Sequence, residues 1–192
     1  MSPRNSAELL SRLTEITQRN LAAGRTFAAM GDAQLQQKPH SKAWNAVECL
    51  AHLVHYGNFY LPEVRRRIET TKYNEAQSTY TSSWLGNKFA AGMKPRPKTR
   101  KVSTFKSANP INFSTPPDRS VIATFIDQQE ELLQLLKMAG GVDLTRTKTS
   151  ISITRLIKIR LCDTLRVMVY HDWRHVAQAQ RAAGVAVTDA EA

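Results

Sequence analysis

Hydrophobic residues recur at helical spacing in four long stretches of the chain, separated by polar or glycine-containing segments. Side chains three, four and seven positions apart share one face of an α-helix, so each stretch predicts a helix with one buried face. We expect these helices over residues 5–30, 44–72, 118–139 and 154–183. The sequence shows no convincing alternating strand pattern, and four such helices favour an all-α, antiparallel four-helix bundle.

Glycines mark the predicted helix ends. Gly31 follows the first helix and is expected to end it, because glycine tolerates the left-handed conformation of a helix end. Gly140 and Gly141 close the third helix, and Gly184 stops the fourth. A polar linker over residues 34–42 precedes the second helix. Pro62 lies inside that helix and is expected to kink it, since proline removes one backbone donor.

The segment over residues 74–117 is too long for an ordinary connection within a bundle, so we expect a crossover over one end of the bundle or a lid. Trp84, Leu85, Phe89 and Met93 predict one short helix there, which would plug the end of the bundle. Residues 142–152, before the fourth helix, are predicted to form a loop.

Composition favours one intracellular domain over residues 1–192. Hydrophobic residues make up 42% of the chain, and two cysteines are too few for a disulfide framework, so reduced thiols are expected. The N-terminus leads into a charged amphipathic segment rather than a signal peptide, and no apolar stretch reaches the roughly 20 residues of a membrane span. We therefore expect a cytoplasmic protein.

The formal net charge of +11 is concentrated in part between residues 88 and 106, a segment that carries no acidic residue. Such a loop attracts nucleic acid or another anionic partner through its field, or it only aids solubility. Its cations are Lys88, Lys94, Arg96, Lys98, Arg100, Lys101 and Lys106.

Two histidines on the fourth predicted helix carry the strongest chemical signal. His171 and His175 are four residues apart, so their imidazoles can converge on one metal ion. His175 also lies in the buried stripe of the helix with Leu161, Met168 and Ala182. The alternative is that these are core histidines that hydrogen-bond to protein groups, as most buried polar groups do.

A third ligand would have to come from elsewhere, and His40, His52 and His55 are the candidates. His40 lies in the linker, and the other two lie on the second helix. His52 is off the buried seam of that helix by angle, on a flank that would be covered only if the helix packs between two neighbours. Spacing alone leaves the choice open.

The residues around these histidines resemble the DinB family of four-helix-bundle proteins. The similarity lies in residues 44–53, WNAVECLAHL, followed by residues 171–178, HDWRHVAQ. In that family a tryptophan opens the second helix, a histidine eight residues later binds metal, and a His-x-x-x-His pair on the last long helix supplies two more ligands. The resemblance therefore implies a metal site made of His52, His171 and His175.

The resemblance implies one divalent metal, usually zinc or nickel, and a metal-dependent enzyme. Three imidazoles suit such transition metals, and three protein ligands leave a position open for water or substrate. Relatives are described as metal-dependent hydrolases or as transferases of low-molecular-weight thiols. Activation of water or of a thiol by the metal would serve these two reactions.

Other residues near the predicted ligands have secondary roles. Glu48, one turn before His52, is placed to orient the His52 ring, and the alternative is an exposed helix carboxylate. Cys49 could reach the metal as a fourth ligand, and His55 is the main rival of His52.

Four residues on the two ligand helices complete the set. Tyr56 and Tyr170 could serve as acids near the mouth of the site, although a tyrosine in a helix more often packs. Asp172 and Arg174, between the ligands, are predicted to be surface or ion-pair residues.

The alternative function is a non-enzymatic stress-response or binding protein that uses the 88–106 loop on an anionic partner such as nucleic acid. A metal-free bundle that acts as an interaction protein, with a homodimer formed through helix faces, is a third hypothesis. The 88–106 loop lacks an aromatic ladder or a known nucleic-acid-binding motif, which favours the metal-dependent enzyme.

Overall fold

Four long helices pack together in the computed structural model, which describes residues 1–95, 104–152 and 154–187. Numbered in chain order together with a short helix, they are α1 Ser6–Ala28, α2 Asp32–Leu35, α3 Ala46–Thr70, α5 Val121–Ala139 and α6 Leu161–Ala182. Each of the helices α1 and α3 packs against both α5 and α6, so the predicted four-helix bundle is confirmed. The short helix α2 follows α1, and α3 continues as one helix through Pro62.

Side-chain caps fix where two of these helices begin. The Asn5 side chain accepts a hydrogen bond from the Glu8 amide at 2.9 Å at the start of α1. The Asn45 side chain accepts one from the Glu48 amide at 2.8 Å at the start of α3. These contacts satisfy amides that have no partner within the first helical turn. After the end of α6, Gly184 adopts the left-handed conformation with φ 68°. Gly31 does not adopt the left-handed conformation expected of it, because with φ -74° it begins α2 instead.

The core consists of two clusters of buried side chains, one toward each end of the bundle. The first cluster includes Leu13, Leu135 and Leu165, and the second includes Leu50 and Phe125. Helices α3 and α5 run from the second cluster to the first, whereas α1 and α6 run the other way. Because α3 and α5 are parallel neighbours, the chain between them must return along the bundle, which gives a physical reason for the long 74–117 segment.

The segment between α3 and α5 carries the helix α4, Trp84–Met93, and two turns of 3-10 helix, Lys106–Ala108 and Pro110–Asn112. The prediction that α4 plugs the end of the bundle is wrong, because α4 lies along α6. Its buried face consists of Gly86 and Ala90, whereas the Trp84 side chain is exposed. Small residues on that face allow the two helix backbones to approach each other.

Buried polar groups hold the start of α4 against α6. The Asp163 carboxylate accepts hydrogen bonds from the backbone amide and the hydroxyl of Ser83, at 2.9 and 3.0 Å. The Arg166 guanidinium donates to the Ser82 hydroxyl at 2.9 Å and to the Asn87 side chain at 3.1 Å. Fully paired buried charges fix the position of α4 because any displacement would leave them without partners.

Two short antiparallel strand pairs lie outside the helices. Strand β1, Arg4–Asn5, pairs with β2, Thr79–Tyr80, and thereby ties the N-terminus to the start of the 74–117 segment. Strand β3, Lys148–Ile151, pairs with β4, Thr154–Arg160, as a hairpin with a register shift between Ser150 and Ile151.

This β3–β4 hairpin corrects three predictions. The chain does contain strands, the predicted loop over residues 142–152 includes β3, and the fourth helix begins at Leu161 rather than at 154. Residues 154–160 form β4 instead. Within the described part of the chain, the helices all fall short of the length and apolar character that a membrane crossing requires.

Candidate metal centre

His52 lies two helical turns after the capped start of α3 and is only 2% exposed. Its Nδ1 lies 2.7 Å from the backbone carbonyl of Ala108, in the segment between α3 and α5. A carbonyl only accepts hydrogen bonds, so Nδ1 carries the proton and Nε2 is left with its lone pair. The contact thus orients His52 with a free nitrogen on its other side.

His171 and His175 come from the middle of α6, one helical turn apart. His52 Nε2 lies 3.2 Å from His171 Nε2, and the ring centres of His171 and His175 are 4.7 Å apart. His175 Nδ1 lies 3.0 Å from Gln178 Oε1 and donates to it, which leaves His175 Nε2 free as well. One nitrogen from each of the three rings lies within 4.8 Å of the others.

Burial keeps the three imidazoles neutral. It lowers the pKa of His52 to about 4 and that of His175 to about 3, and the charges of His52 and Arg174 add to the effect on the pKa of His175. The pKa of His171 is lowered well below its ordinary value, first by burial and then by His175 and His52. A neutral imidazole is the form that binds a metal ion.

Aromatic rings enclose the three-histidine cluster. The Trp44 ring lies 4.9 Å from that of His52 and 5.9 Å from that of His175, measured between centres. The ring of Tyr56 is nearly perpendicular to those of His52 and His171, and its centre lies 5.0 Å from the centre of each. Burial raises the pKa of Tyr56, so its hydroxyl stays protonated at neutral pH.

The other candidate ligands lie elsewhere. His55 is exposed and its ring lies 5.6 Å from that of Phe113, and His40 is exposed in the linker after α2. Cys49 is buried in the second core cluster, where burial raises the pKa of its thiol. Among the described histidines, cysteines and acidic residues, those grouped closely enough to hold a metal are His52, His171 and His175.

Glu48 does not orient His52, contrary to the expectation from its spacing. Its carboxylate accepts a hydrogen bond from the Asn45 amide at 2.9 Å, which completes a capping box at the start of α3. The same carboxylate pairs with Lys38 Nζ at 2.8 Å. The carbonyl of Ala108 has the orienting role instead, and sequence reasoning missed it because any residue can supply a carbonyl.

Two of the residues between and beside the α6 histidines, Asp172 and Tyr170, also differ from expectation. Asp172 lines an internal cavity rather than the outer surface, and its carboxylate accepts a hydrogen bond from Gln129 Nε2 at 2.9 Å. Burial raises the pKa of Asp172 to about 7. Arg174 donates to the carbonyl of Gly92 at 3.1 Å, and Tyr170 is buried in the first core cluster rather than at a site mouth.

The cavity beside the cluster has a volume of about 300 Å³ and reaches His171. Its wall is formed by α3, α4, α5, α6 and the β3–β4 hairpin, and is mainly apolar. A mainly apolar cavity with a few polar groups is typical of a small-molecule site. Its polar or titratable lining residues are Tyr56, Tyr60, Gln128, Gln129, Ser152, His171 and Asp172.

The basic 88–106 segment, predicted to be a loop, begins within α4 and ends in a turn of 3-10 helix, and it is only partly described. Arg96, Lys98, Arg100 and Lys101 lie outside the described residues. The ammonium group of Lys88 lies 5.2 Å from the centre of the exposed Trp84 ring. Binding of an anionic partner by this loop stays a prediction.

Comparison with known proteins supplies the family. A search of solved structures found YfiT from Bacillus subtilis, described as a probable metal-dependent hydrolase with an unusual four-helix bundle topology. The match has 16% identity and a TM-score of 0.49, and it covers 97% of this chain and 95% of that one. A search of curated proteins found no significant match. The family model of the DinB superfamily matches residues 12–179, and the chain therefore belongs to the DinB superfamily.

Proposed function

We propose that this protein is a metal-dependent hydrolase that binds one divalent transition metal through His52, His171 and His175. The observation that carries the proposal is the convergence of three imidazole nitrogens within 4.8 Å of one another, from one buried and two half-buried histidines. Here two of the three rings use Nδ1 on a protein acceptor and leave Nε2 for the centre of the cluster.

The chemistry of these donors fits zinc or nickel. Neutral imidazoles prefer such metals over magnesium or calcium, and buried histidines with low pKa values are neutral at pH 7. When bound, a metal with three protein ligands supplies Lewis acidity and an open position at which water can be activated.

The protein's own groups define the surroundings of that reaction. Trp44 and Tyr56 cover the cluster and exclude bulk water, which strengthens electrostatic interactions inside the site. The cavity next to His171 receives the apolar part of a substrate. Tyr56 lines both the cluster and the cavity, so its protonated hydroxyl is the candidate proton donor to a leaving group.

Thiol transfer is the other reaction that the DinB resemblance implies, and it is tested beside hydrolysis. A carboxylate in the cavity wall disfavours anionic thiols, which is why hydrolysis ranks first. The homodimer, the stress-response role and the cytoplasmic location remain predictions.

Metal analysis tests the ligand set directly. We expect protein purified without an affinity tag to hold about one equivalent of zinc or nickel by mass spectrometry. His52→Ala and His175→Ala should lose most of it, whereas His55→Ala, an exposed histidine three residues away on α3, should keep it. Circular dichroism would verify that each variant stays folded. A wild-type protein that holds no metal after reconstitution would refute the proposal.

Hydrolytic activity is measured on the same samples. The metal-loaded protein should hydrolyse a panel of apolar activated esters and amides, and the chelated protein and His175→Ala should not. An acceptor assay with low-molecular-weight thiols runs in parallel. Product formation that requires an added thiol, without any hydrolysis product, would replace the proposed hydrolysis by thiol transfer. The proposed metal site would be unaffected by that result.

A further inference from the structure

The cavity beside the metal centre contains a hydrogen-bond acceptor that the described residues leave without a partner. Gln129 is 2% exposed and lines the cavity, and its side-chain Oε1 has no hydrogen-bond partner within the described parts of the chain. Its Nε2 is occupied by Asp172. An unpaired buried amide oxygen costs stability, so such a group in a cavity wall indicates a ligand that donates to it.

Asp172 adds a second acceptor at the same place. Its carboxylate lines the cavity, and Gln129 is its hydrogen-bond donor among the described residues. A half-buried carboxylate next to a free amide oxygen selects a group with several N–H donors and a positive charge, since that group satisfies both at once. A primary ammonium group has these properties.

The rest of the cavity favours an apolar body with aromatic contacts. Tyr56 and Tyr60 line one wall with their rings nearly parallel and 6.5 Å apart, and Phe89 and Phe105 line the opening and are partly exposed. Aromatic faces accept both apolar chains and organic cations.

We propose that this cavity binds a small apolar molecule that carries a primary amine, with Gln129 Oε1 and the Asp172 carboxylate as acceptors for its N–H groups. The inference rests on the proposed function, because it names the substrate class of the same site. Asp172 follows His171 directly in α6, and both line the cavity, so a molecule held by its amine lies beside the metal centre.

Isothermal titration calorimetry tests this recognition with three probes of equal chain length, which are hexan-1-amine, hexan-1-ol and hexanoate. We expect the amine to bind the full-length protein about tenfold more tightly than the alcohol, because a charged donor forms stronger hydrogen bonds. Hexanoate should not bind, since it places a carboxylate against two acceptors. Equal binding of amine and alcohol, or no binding of the amine, would overturn the proposal.

Two substitutions test the acceptors separately. Gln129→Met and Asp172→Asn should each weaken binding of hexan-1-amine by about tenfold. Asp127→Asn removes a charge from the exposed face of α5 and serves as the matched control, with unchanged binding expected. If one variant fails to fold, the other variant and the comparison of the three probes still test the proposal. Wild-type affinity in both folded acceptor variants would contradict the assignment.

The metal state separates this proposal from the proposed function. Hexan-1-amine should bind the metal-loaded and the chelator-treated protein equally, because its amine contacts Gln129 and Asp172 rather than the metal. Loss of binding on chelation would show that the amine is a metal ligand and would overturn the inference. Amine binding by a protein that never holds metal would support this cavity and refute the metal-dependent hydrolase.

Discussion

At the scale of single residues, Glu48 and Ala108 exchange the roles that sequence suggests. Glu48 has the spacing of an orienting carboxylate but belongs to the cap of α3, and the backbone of Ala108 orients His52. The cap and the metal centre should therefore respond independently to mutation.

Glu48→Ala should lower the free energy of unfolding by about 1 kcal/mol, since it removes the reciprocal half of a capping box. Metal content should not change, because the carboxylate does not contact His52. Urea unfolding and metal analysis measure the two effects. Glu75→Ala, at an exposed loop position, is the matched control, and loss of metal in Glu48→Ala alone would restore the orienting role.

Asp172 and Gln129 show why a cavity is difficult to predict at this scale. No sequence window contains both, because their hydrogen bond joins positions 43 residues apart on two helices. The three histidines were predictable because two share a helix turn and the family resemblance supplied the third. The polar wall of the cavity depends on packing that only the folded chain shows.

At the scale of elements, the close packing of α4 against α6 depends on a glycine. A Cβ atom on Gly86 would lie 2.2 Å from Asp163 Oδ2, whereas one on Gly92 would meet nothing within 4 Å. The two glycines are on the same short helix, so they form a matched pair.

Gly86→Ala should lower the free energy of unfolding by about 1 to 3 kcal/mol, because α4 must move away from α6. Gly92→Ala should be neutral or raise it by up to about 1 kcal/mol, as alanine favours helix. Thermal unfolding and limited proteolysis of α4 measure both. Equal stability of the two variants would show that α4 is not packed closely on α6.

The β3–β4 hairpin is tied to α3 by Glu63. Its carboxylate accepts from the Ser150 amide at 2.9 Å and pairs with Arg66 and Arg67. Partial burial alone would raise the pKa of Glu63, but these hydrogen bonds outweigh it and lower the pKa to about 2. The folded state therefore favours the ionised form, and the resulting stability is complete above the ordinary pKa of 4.5 and lost as the pH falls toward 2.

Glu63→Gln should lower stability at pH 7 and reduce the loss of stability between pH 5 and pH 2.5 relative to the wild type. Urea midpoints at these pH values measure the difference. Glu69→Gln, on the exposed last turn of α3, should keep the wild-type pH dependence. If Glu63→Gln loses stability at acid pH as steeply as the wild type does, other carboxylates cause that loss.

The hairpin also shows where periodicity misleads. The apolar spacing of α6 extends to the preceding residues Leu156, Ile157 and Ile159, so periodicity alone predicts a helix there. The β-branched composition of residues 147–160 was the available signal for strands. Strand pairing is decided by the partner, here β3, whereas the helix periodicity of α6 from Leu161 onward is local and was predicted correctly.

At the scale of the whole molecule, the three histidines lie where the two core clusters meet. On α3, His52 lies between Leu50 and Leu53 of the second cluster. On α6, His171 lies near the end of the first cluster, and His175 lies between Trp173 of the first cluster and Val176 of the second. A metal at this place would join both halves of the bundle. Its removal should consequently affect global stability.

Chelation should lower the melting temperature of the wild type, and added zinc or nickel should restore it. A ligand at 100 times its dissociation constant stabilises the folded state by about 2.7 kcal/mol. Calorimetry with and without metal measures the shift. His175→Ala should not respond to metal, and His55→Ala should respond like the wild type. An identical response in His175→Ala would place the bound metal elsewhere.

The bond from His52 to the Ala108 carbonyl makes the centre sensitive to the length of the chain rather than to its composition. Any residue with a small side chain offers the same oxygen at the buried position 108, so comparison of residue types there would reveal only a limit on size. An insertion or deletion that shifts the register of this turn would instead rotate the ring of His52. Among relatives, this contact would therefore be visible as conserved spacing before and after position 108. Alanine scanning would not detect it, because the residue at this position is already alanine.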